Sequence, residues 1–66
     1  MKLNEALQMA QRLSSSGDFD GDVVLVVQDV ESVRQGKKSL LDCYLVCGVD
    51  DIPEFGIVVE HFSIRR

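Results

Sequence analysis

Hydrophobic residues recur at helical spacing in the first part of the chain. Leucines and alanines occupy positions 3, 6, 7, 10 and 13, so they lie along one stripe of a helix. Asn4 is placed to cap this helix, and the run SSSG ends it, since Gly17 can take the left-handed conformation. The pattern therefore predicts an amphipathic helix from about residue 4 to residue 15.

Three later segments have the composition of β-strands. They are DVVLVVQDV at residues 22 to 30, SLLDCYLVCG at 39 to 48, and FGIVVEHFSI at 55 to 64. The polar segment ESVRQGKKS, with Gly36 near its tip, connects the first two as a hairpin, and VDDIPE separates the second from the third. Short connections favour neighbouring strands. The sequence thus predicts one α+β domain over residues 1 to 66, an N-terminal helix on a three-stranded antiparallel sheet arranged as an α-β-β-β meander.

One helix covers only one face of such a sheet, and the other face is predicted to keep apolar residues. Alternation along the strands gives both faces apolar side chains, and we expect the uncovered face to carry Val24, Val26, Tyr44 and Val46. Exposed apolar patches usually mark interfaces, so a second copy of the chain, giving a homodimer, or another partner is expected there. The alternative is that these scattered side chains face water.

Charge narrows the classes of partner. The net charge is −4, with eleven acidic residues against seven basic ones, so direct binding to nucleic acid or to an anionic membrane is disfavoured and a basic protein partner is favoured. No apolar run approaches the ~20 residues that cross a bilayer. The N-terminal segment lacks the continuous apolar core of a secretion signal, which favours a cytoplasmic location.

Acidic residues gather at one end of the predicted meander. The start of strand one, the end of strand two and the second connection share that end. Its acidic residues are Asp18, Asp20, Asp22, Asp50, Asp51 and Glu54. The opposite end receives the basic residues Arg34, Lys37, Lys38, Arg65 and Arg66. The acidic end is predicted to be either a docking surface for a basic partner or a solvated face that maintains solubility.

The stretch GDFDGD at residues 17 to 22 raises two further hypotheses. Aspartates at positions 1, 3, 5 and 12 of DFDGDVVLVVQD match a calcium-loop template, but the glycine falls at position 4 instead of 6 and the segment has strand composition, so we expect no metal. In an extended chain, alternate aspartates stand about 6.7 Å apart, a separation similar to that of neighbouring phosphates. That spacing would allow mimicry of a nucleic-acid backbone.

No catalytic signature is present, and no cofactor is expected. Cys43, Cys47 and His61 are too few for a closed zinc site within one chain. On one strand face the two cysteines stand about 13 Å apart, too far for a disulfide, and their apolar surroundings favour inert thiols. Surface aspartates on a domain of this size have little to bury them, so the protein is expected not to be an enzyme.

The small size, the acidity and the helix followed by three strands resemble anti-CRISPR proteins of phages and mobile elements, in particular the inhibitors of type I systems such as type I-C. Several members of that class act as DNA mimics. The resemblance covers the whole chain and has no diagnostic motif. It implies a non-enzymatic inhibitor in the host cytoplasm that binds the basic PAM-reading surface of a CRISPR surveillance-complex subunit. The alternative is a small structural or regulatory protein that oligomerises through its open sheet face.

Overall fold

The computed structural model describes residues 1 to 65. An N-terminal helix is followed by three strands, with a short helix after the first strand and a 3₁₀ turn after the second. The elements are α1 (Leu3–Ser16), β1 (Val23–Asp29), α2 (Val30–Arg34), β2 (Tyr44–Cys47), the 3₁₀ turn η1 (Val49–Asp51) and β3 (Gly56–Ser63). The predicted α+β class, with one N-terminal helix packed on a three-stranded antiparallel sheet, is confirmed.

Helix α1 lies within one residue of its predicted bounds at each end. Its cap is Lys2 and not Asn4, because the backbone N–H of Lys2 donates to the Glu5 carboxylate at 3.0 Å and Leu3 is already helical. The helix ends as expected at Gly17, which is left-handed with φ 71° and donates its N–H to the carbonyl of Leu13. The apolar stripe of α1 buries Ala6 and Ala10 against the sheet.

The strand order is β2-β1-β3, so the predicted meander order was wrong. β1 lies in the centre and pairs antiparallel with both other strands, with Leu25 opposite Cys47 and Val23 opposite Ser63. The physical reason is the apolar run of β1, which is buried without interruption from Val24 to Val27. A strand that is apolar on both faces gains most from the central position, where it has a neighbour on each side.

This order gives the sheet two distinct ends. We call the end where β1 begins and β2 and β3 finish the lower end, and the end where β1 finishes the upper end. Residues 48 to 55 therefore run from the lower end of β2 to the upper end of β3, passing β1, which η1 contacts. Because α1 occupies the face of Val24 and Val26, this connection lies over the opposite face, where Leu25 and Val27 are buried.

The prediction of which sheet face is uncovered and available for self-association was wrong. Val24 and Val26 are fully buried in the cluster with Ala6 and Ala10 of α1, and Tyr44 and Val46 are half-buried against the same cluster. These four residues therefore form the face that the helix covers. The residues that share each face of the sheet were predicted correctly. Which face the helix covers depends on how well the side-chain volumes match, and alternation alone does not determine that.

The predicted hairpin connection contains the short helix α2. Asp29 caps it, since its carboxylate accepts from the backbone N–H and the hydroxyl of Ser32 and pairs with the Lys38 ammonium at 3.5 Å. The hydrogen bonds from Ser32, together with the charge of Lys38, lower the pKa of Asp29. The cap therefore stabilises the fold above the ordinary pKa of an aspartate, and this contribution is lost as the pH falls through the lowered value.

The C-terminal segment returns to the end of α1 at the lower end of the sheet. The N–H of Ile64 donates to the carbonyl of Asp22, and the N–H of Arg65 donates to the carbonyl of Ser14, each at 2.9 Å. The Ser14 hydroxyl in turn donates to the carbonyl of Ser63. These bonds fix the exit of β3 against the helix.

Alanine substitutions at Gly17 and Gly36 test this packing. Both glycines are left-handed, with φ 71° and 74°, so alanine has a similar conformational cost at each, about 1 kcal/mol. A Cβ at Gly17 would stand 2.7 Å from the carbonyl oxygen of Arg65, whereas nothing lies within 4 Å of one at Gly36. We expect Gly36→Ala to lower the free energy of unfolding by about 1 kcal/mol and Gly17→Ala by about 2–4 kcal/mol. Urea denaturation measures both, and equal losses would contradict the placement of Arg65.

Candidate functional site

Two acidic loops meet in one cleft at the lower end of the sheet. One loop leads into β1, and the other begins where β2 finishes and includes η1. The cleft has a volume of about 300 Å³. It is lined by Asp20, Gly21, Asp22, Val23, Gly48, Val49, Asp50 and Asp51. We call this group the acidic cleft. Four of the eight lining residues are aspartates and none is basic.

Phe19 lies between the two loops. Its ring is partly buried and packs against the core under α1. A Cβ built at Gly21 would lie 3.4 Å from the ring, and one built at Gly48 would lie 3.5 Å from it. The ring therefore lies beside Gly21 in one loop and Gly48 in the other. Its burial offsets part of the repulsion between the aspartates that the loops carry.

The loop that contains GDFDGD is not the extended chain that a regular repeat of aspartates would require. The N–H of Gly21 donates to the carbonyl of Phe19 at 3.1 Å, so the chain bends there. In η1 the N–H of Asp51 donates to the carbonyl of Gly48 at 3.1 Å. Because residues 19 to 22 bend, the regular spacing expected for Asp18, Asp20 and Asp22 is not present, and the carboxylates are grouped around a cleft.

Two of the six predicted acidic residues lie outside the acidic cleft. Asp18 is exposed and follows directly after the helix cap Gly17. Glu54 precedes β3, whose first residue Gly56 pairs with Asp29 at the upper end of the sheet. The placement of Glu54 with the other five was therefore wrong, because β3 begins at the opposite end from the one that a meander requires.

The basic residues are less completely separated from the acidic residues than the sequence predicts. Arg65 follows β3 at the lower end, so its predicted place opposite the acidic residues was wrong, and Arg66 lies outside the described residues. Within residues 1 to 65 the ion pairs join the N-terminal amine to Asp42, Arg34 to Glu31, and Lys38 to Asp29. None of these three pairs includes an aspartate of the acidic cleft.

Both cysteines are free thiols, Cys47 beside the acidic cleft and Cys43 at the upper end of the sheet, where its carbonyl accepts from the N–H of Asp29. Cys43 is fully buried, and its thiol donates to the carbonyl of Leu40 at 3.3 Å. Cys47 finishes β2 just before the second acidic loop. Burial, and next the negative charge of Asp51, raise the pKa of the Cys47 thiol. A thiol with a raised pKa is a poor nucleophile at neutral pH, which agrees with a packing role.

The carboxylates of the acidic cleft can accept hydrogen bonds from cationic groups. In the part of the chain that the structure describes, no three side chains of the kinds that ligate metals lie close enough to hold a metal ion. Exposed carboxylates form charge-assisted hydrogen bonds with guanidinium and ammonium groups, the former in bidentate geometry. The site is thus suited to receive arginine and lysine side chains from another molecule.

The fold and the site together define a small α+β domain with one acidic cleft. Comparison with protein-family models, with curated proteins and with solved structures finds no match. Between residues 1 and 65, neither helix has the length and apolar character needed to cross a membrane.

Proposed function

We propose that the protein is a non-enzymatic inhibitor whose acidic cleft binds the basic surface of a nucleic-acid-binding protein. The observation that carries this proposal is the convergence of Asp20 and Asp22 from one loop with Asp50 and Asp51 from the other, in a cleft with no basic lining residue. Such a surface complements a basic one, accelerates association and determines which partner is accepted.

The grouping of the aspartates favours a binding role over a purely solubilising one. Four like charges around one cleft repel each other and lower the stability of a small domain. Solubility needs only a net charge away from zero, and dispersed acidic residues supply it without that repulsion. The ring of Phe19 packs against the core and lies beside Gly21 and Gly48, one in each of the two loops.

The resemblance to anti-CRISPR proteins suggests the kind of partner. A surveillance-complex subunit that reads the PAM presents lysines and arginines to the phosphates of duplex DNA, and an acidic protein can occupy them instead. Because the loop that carries Asp20 and Asp22 bends, the proposed mimicry is of the charge density of DNA and not of its regular phosphate repeat. The inhibitor would act in the cytoplasm of the host cell.

Competition with duplex DNA tests the proposal. The first probe is a purified type I-C surveillance complex with a PAM-containing duplex, and we expect the protein to bind the complex and to block the duplex. Binding that leaves duplex capture unchanged would contradict the mimicry.

A second experiment tests whether the partner is a DNA-binding protein other than a surveillance complex. The immobilised protein is exposed to a bacterial lysate, and the retained proteins are eluted with duplex DNA. Elution of a DNA-binding protein other than a surveillance complex would keep the binding role and remove the anti-CRISPR assignment. Both the binding role and the anti-CRISPR assignment would be overturned if duplex DNA eluted no retained protein and the surveillance complex did not bind in the first experiment.

A further inference from the structure

The outer edge of β3 has no neighbouring strand within residues 1 to 65. The strand order β2-β1-β3 places β3 at the side of the sheet, with β1 on its inner edge. The other outer edge, that of β2, is partly occupied, because the N–H of Tyr44 donates to the carbonyl of Met1 at 3.0 Å. A free strand edge presents a row of backbone donors and acceptors that another strand can pair with.

Exposed apolar side chains lie on this same edge strand. Phe55 is 60% exposed and Ile57 52% exposed, and Val58 and Val59 are each more than two fifths exposed. The pairing with β1 shifts by one residue here, since Val26 lies opposite Glu60 and Val27 opposite Val58, so that Val59 is bulged. We call residues 55 to 59 the β3 patch. It contains no charged residue.

The backbone conformation of Phe55 is a second indication that the edge of β3 is an interface. It is the one residue other than glycine with a positive φ among those described, at 61°, in the turn that the N–H of Gly56 closes on the carbonyl of Pro53. A glycine would adopt this conformation without strain, whereas a bulky side chain does so rarely. The chain thus holds an exposed aromatic ring in a strained position beside the free edge. Aromatic residues are enriched among those that contribute most to interfaces.

Charge determines which occupant fits the β3 patch. Copies of a chain with net charge −4 approach each other most easily where no charge lies, and the acidic cleft is formed by the ends of β1 and β2, away from the outer edge of β3. The β3 patch carries no charge in either copy, so an antiparallel pair over residues 55 to 59 brings no like charges together within it.

We propose that β3 pairs antiparallel with β3 of a second copy, to give a homodimer with a continuous six-stranded sheet. The interface is isologous, because the same strand contributes from both protomers. Each protomer keeps its own acidic cleft, so the dimer presents two. This inference does not depend on the proposed function, since it concerns the protein without any partner.

Sedimentation equilibrium of the unmodified protein and of three variants tests the dimer. We expect the mass to approach twice 7.4 kDa as concentration rises. Ile57→Lys should raise the dimer dissociation constant at least tenfold, because it places two like charges in the interface. Leu41→Lys is the control, since Leu41 is 79% exposed and lies outside the β3 patch, and it should leave the constant unchanged.

Phe55→Gly separates loss of the interface from loss of the fold. It removes the ring and the backbone strain together, so the dissociation constant should rise at least tenfold while the variant, measured as a monomer at high dilution, melts no lower than the unmodified protein. A mass of 7.4 kDa at every concentration would overturn the proposal and leave the β3 patch to a strand of another protein. Equal effects of Ile57→Lys and Leu41→Lys, or masses that grow beyond the dimer, would overturn it as well.

Discussion

Val26→Asp is expected to unfold the protein. Val26 belongs to the central strand and is fully buried under α1, so the new carboxylate would be enclosed by apolar side chains without a partner. An unpaired buried charge costs several kcal/mol, on the order of 3–5 in measured cases. A domain of 66 residues has a free energy of unfolding of roughly 3–10 kcal/mol, so this change removes most or all of it.

The control for this prediction is Leu41→Asp at a side chain that is 79% exposed, which should change the free energy of unfolding by no more than about 0.5 kcal/mol. Thermal denaturation followed by circular dichroism measures both variants. For Val26→Asp we expect no cooperative transition, or a midpoint lowered by roughly 20 °C. A transition at the midpoint of the unmodified protein would mean that Val26 lies on an open face, and the assignment of the helix to that face would be wrong.

Helix α1 and strand β1 could be predicted from the sequence because each has its own periodicity, whereas the short elements α2 and η1 were not predicted. The helical stripe of α1 and the β-branched run of β1 are local patterns, and both elements lie within one residue of the predicted bounds. The second strand is shorter than predicted, since residues 39 to 43 form a turn in which Cys43 is buried. Turn and strand compete there, and the hydrogen bond from the Cys43 thiol to Leu40 stabilises the turn.

The strand order could not be predicted from the length of the second connection. Eight residues between β2 and β3 extend to about 26–29 Å, whereas the diagonal path past β1 requires about 16 Å. A connection of this length therefore permits either an adjacent strand or a crossing. The informative signal was the uninterrupted apolar run Val23–Val27, which is typical of a central strand with both faces buried.

Most of the acidic cleft was predicted because it depends only on β1 and β2. These strands form an antiparallel hairpin in either strand order, so the loop before β1 and the loop after β2 meet in both. Glu54 and Arg65 were misplaced because their positions depend on the direction of β3. The β3 patch was missed for the same reason, because its exposure depends on the place of β3 at the side of the sheet.

Charge reversal within the acidic cleft should abolish binding of the basic partner. Asp20→Lys with Asp22→Lys changes one loop, and Asp50→Lys with Asp51→Lys changes the other. Each pair substitutes repulsion for attraction at two contacts of the interface, where truncation of a single buried charged residue costs about 2–5 kcal/mol. We expect a loss of affinity of at least about 100-fold for each pair, equivalent to about 2.7 kcal/mol. None of these aspartates takes part in an ion pair within residues 1 to 65, so the melting temperature should not fall.

Asp18→Lys with Glu54→Lys is the matched control. Like the two cleft pairs, it raises the formal net charge from −4 to zero, but both residues lie outside the acidic cleft. A difference between this variant and the cleft pairs therefore reports position and not total charge. Long-range attraction depends on net charge, so a modest loss, within about tenfold, is expected for the control.

The dissociation constant of the DNA-displaceable partner, measured at physiological salt for these three variants of equal net charge, tests the central claim most directly. Binding at the acidic cleft predicts that both cleft pairs lose at least about 100-fold in affinity and that the Asp18 and Glu54 control keeps most of it. Equal losses in all three variants, or full affinity in either cleft pair, would contradict the claim that this cleft is the binding surface.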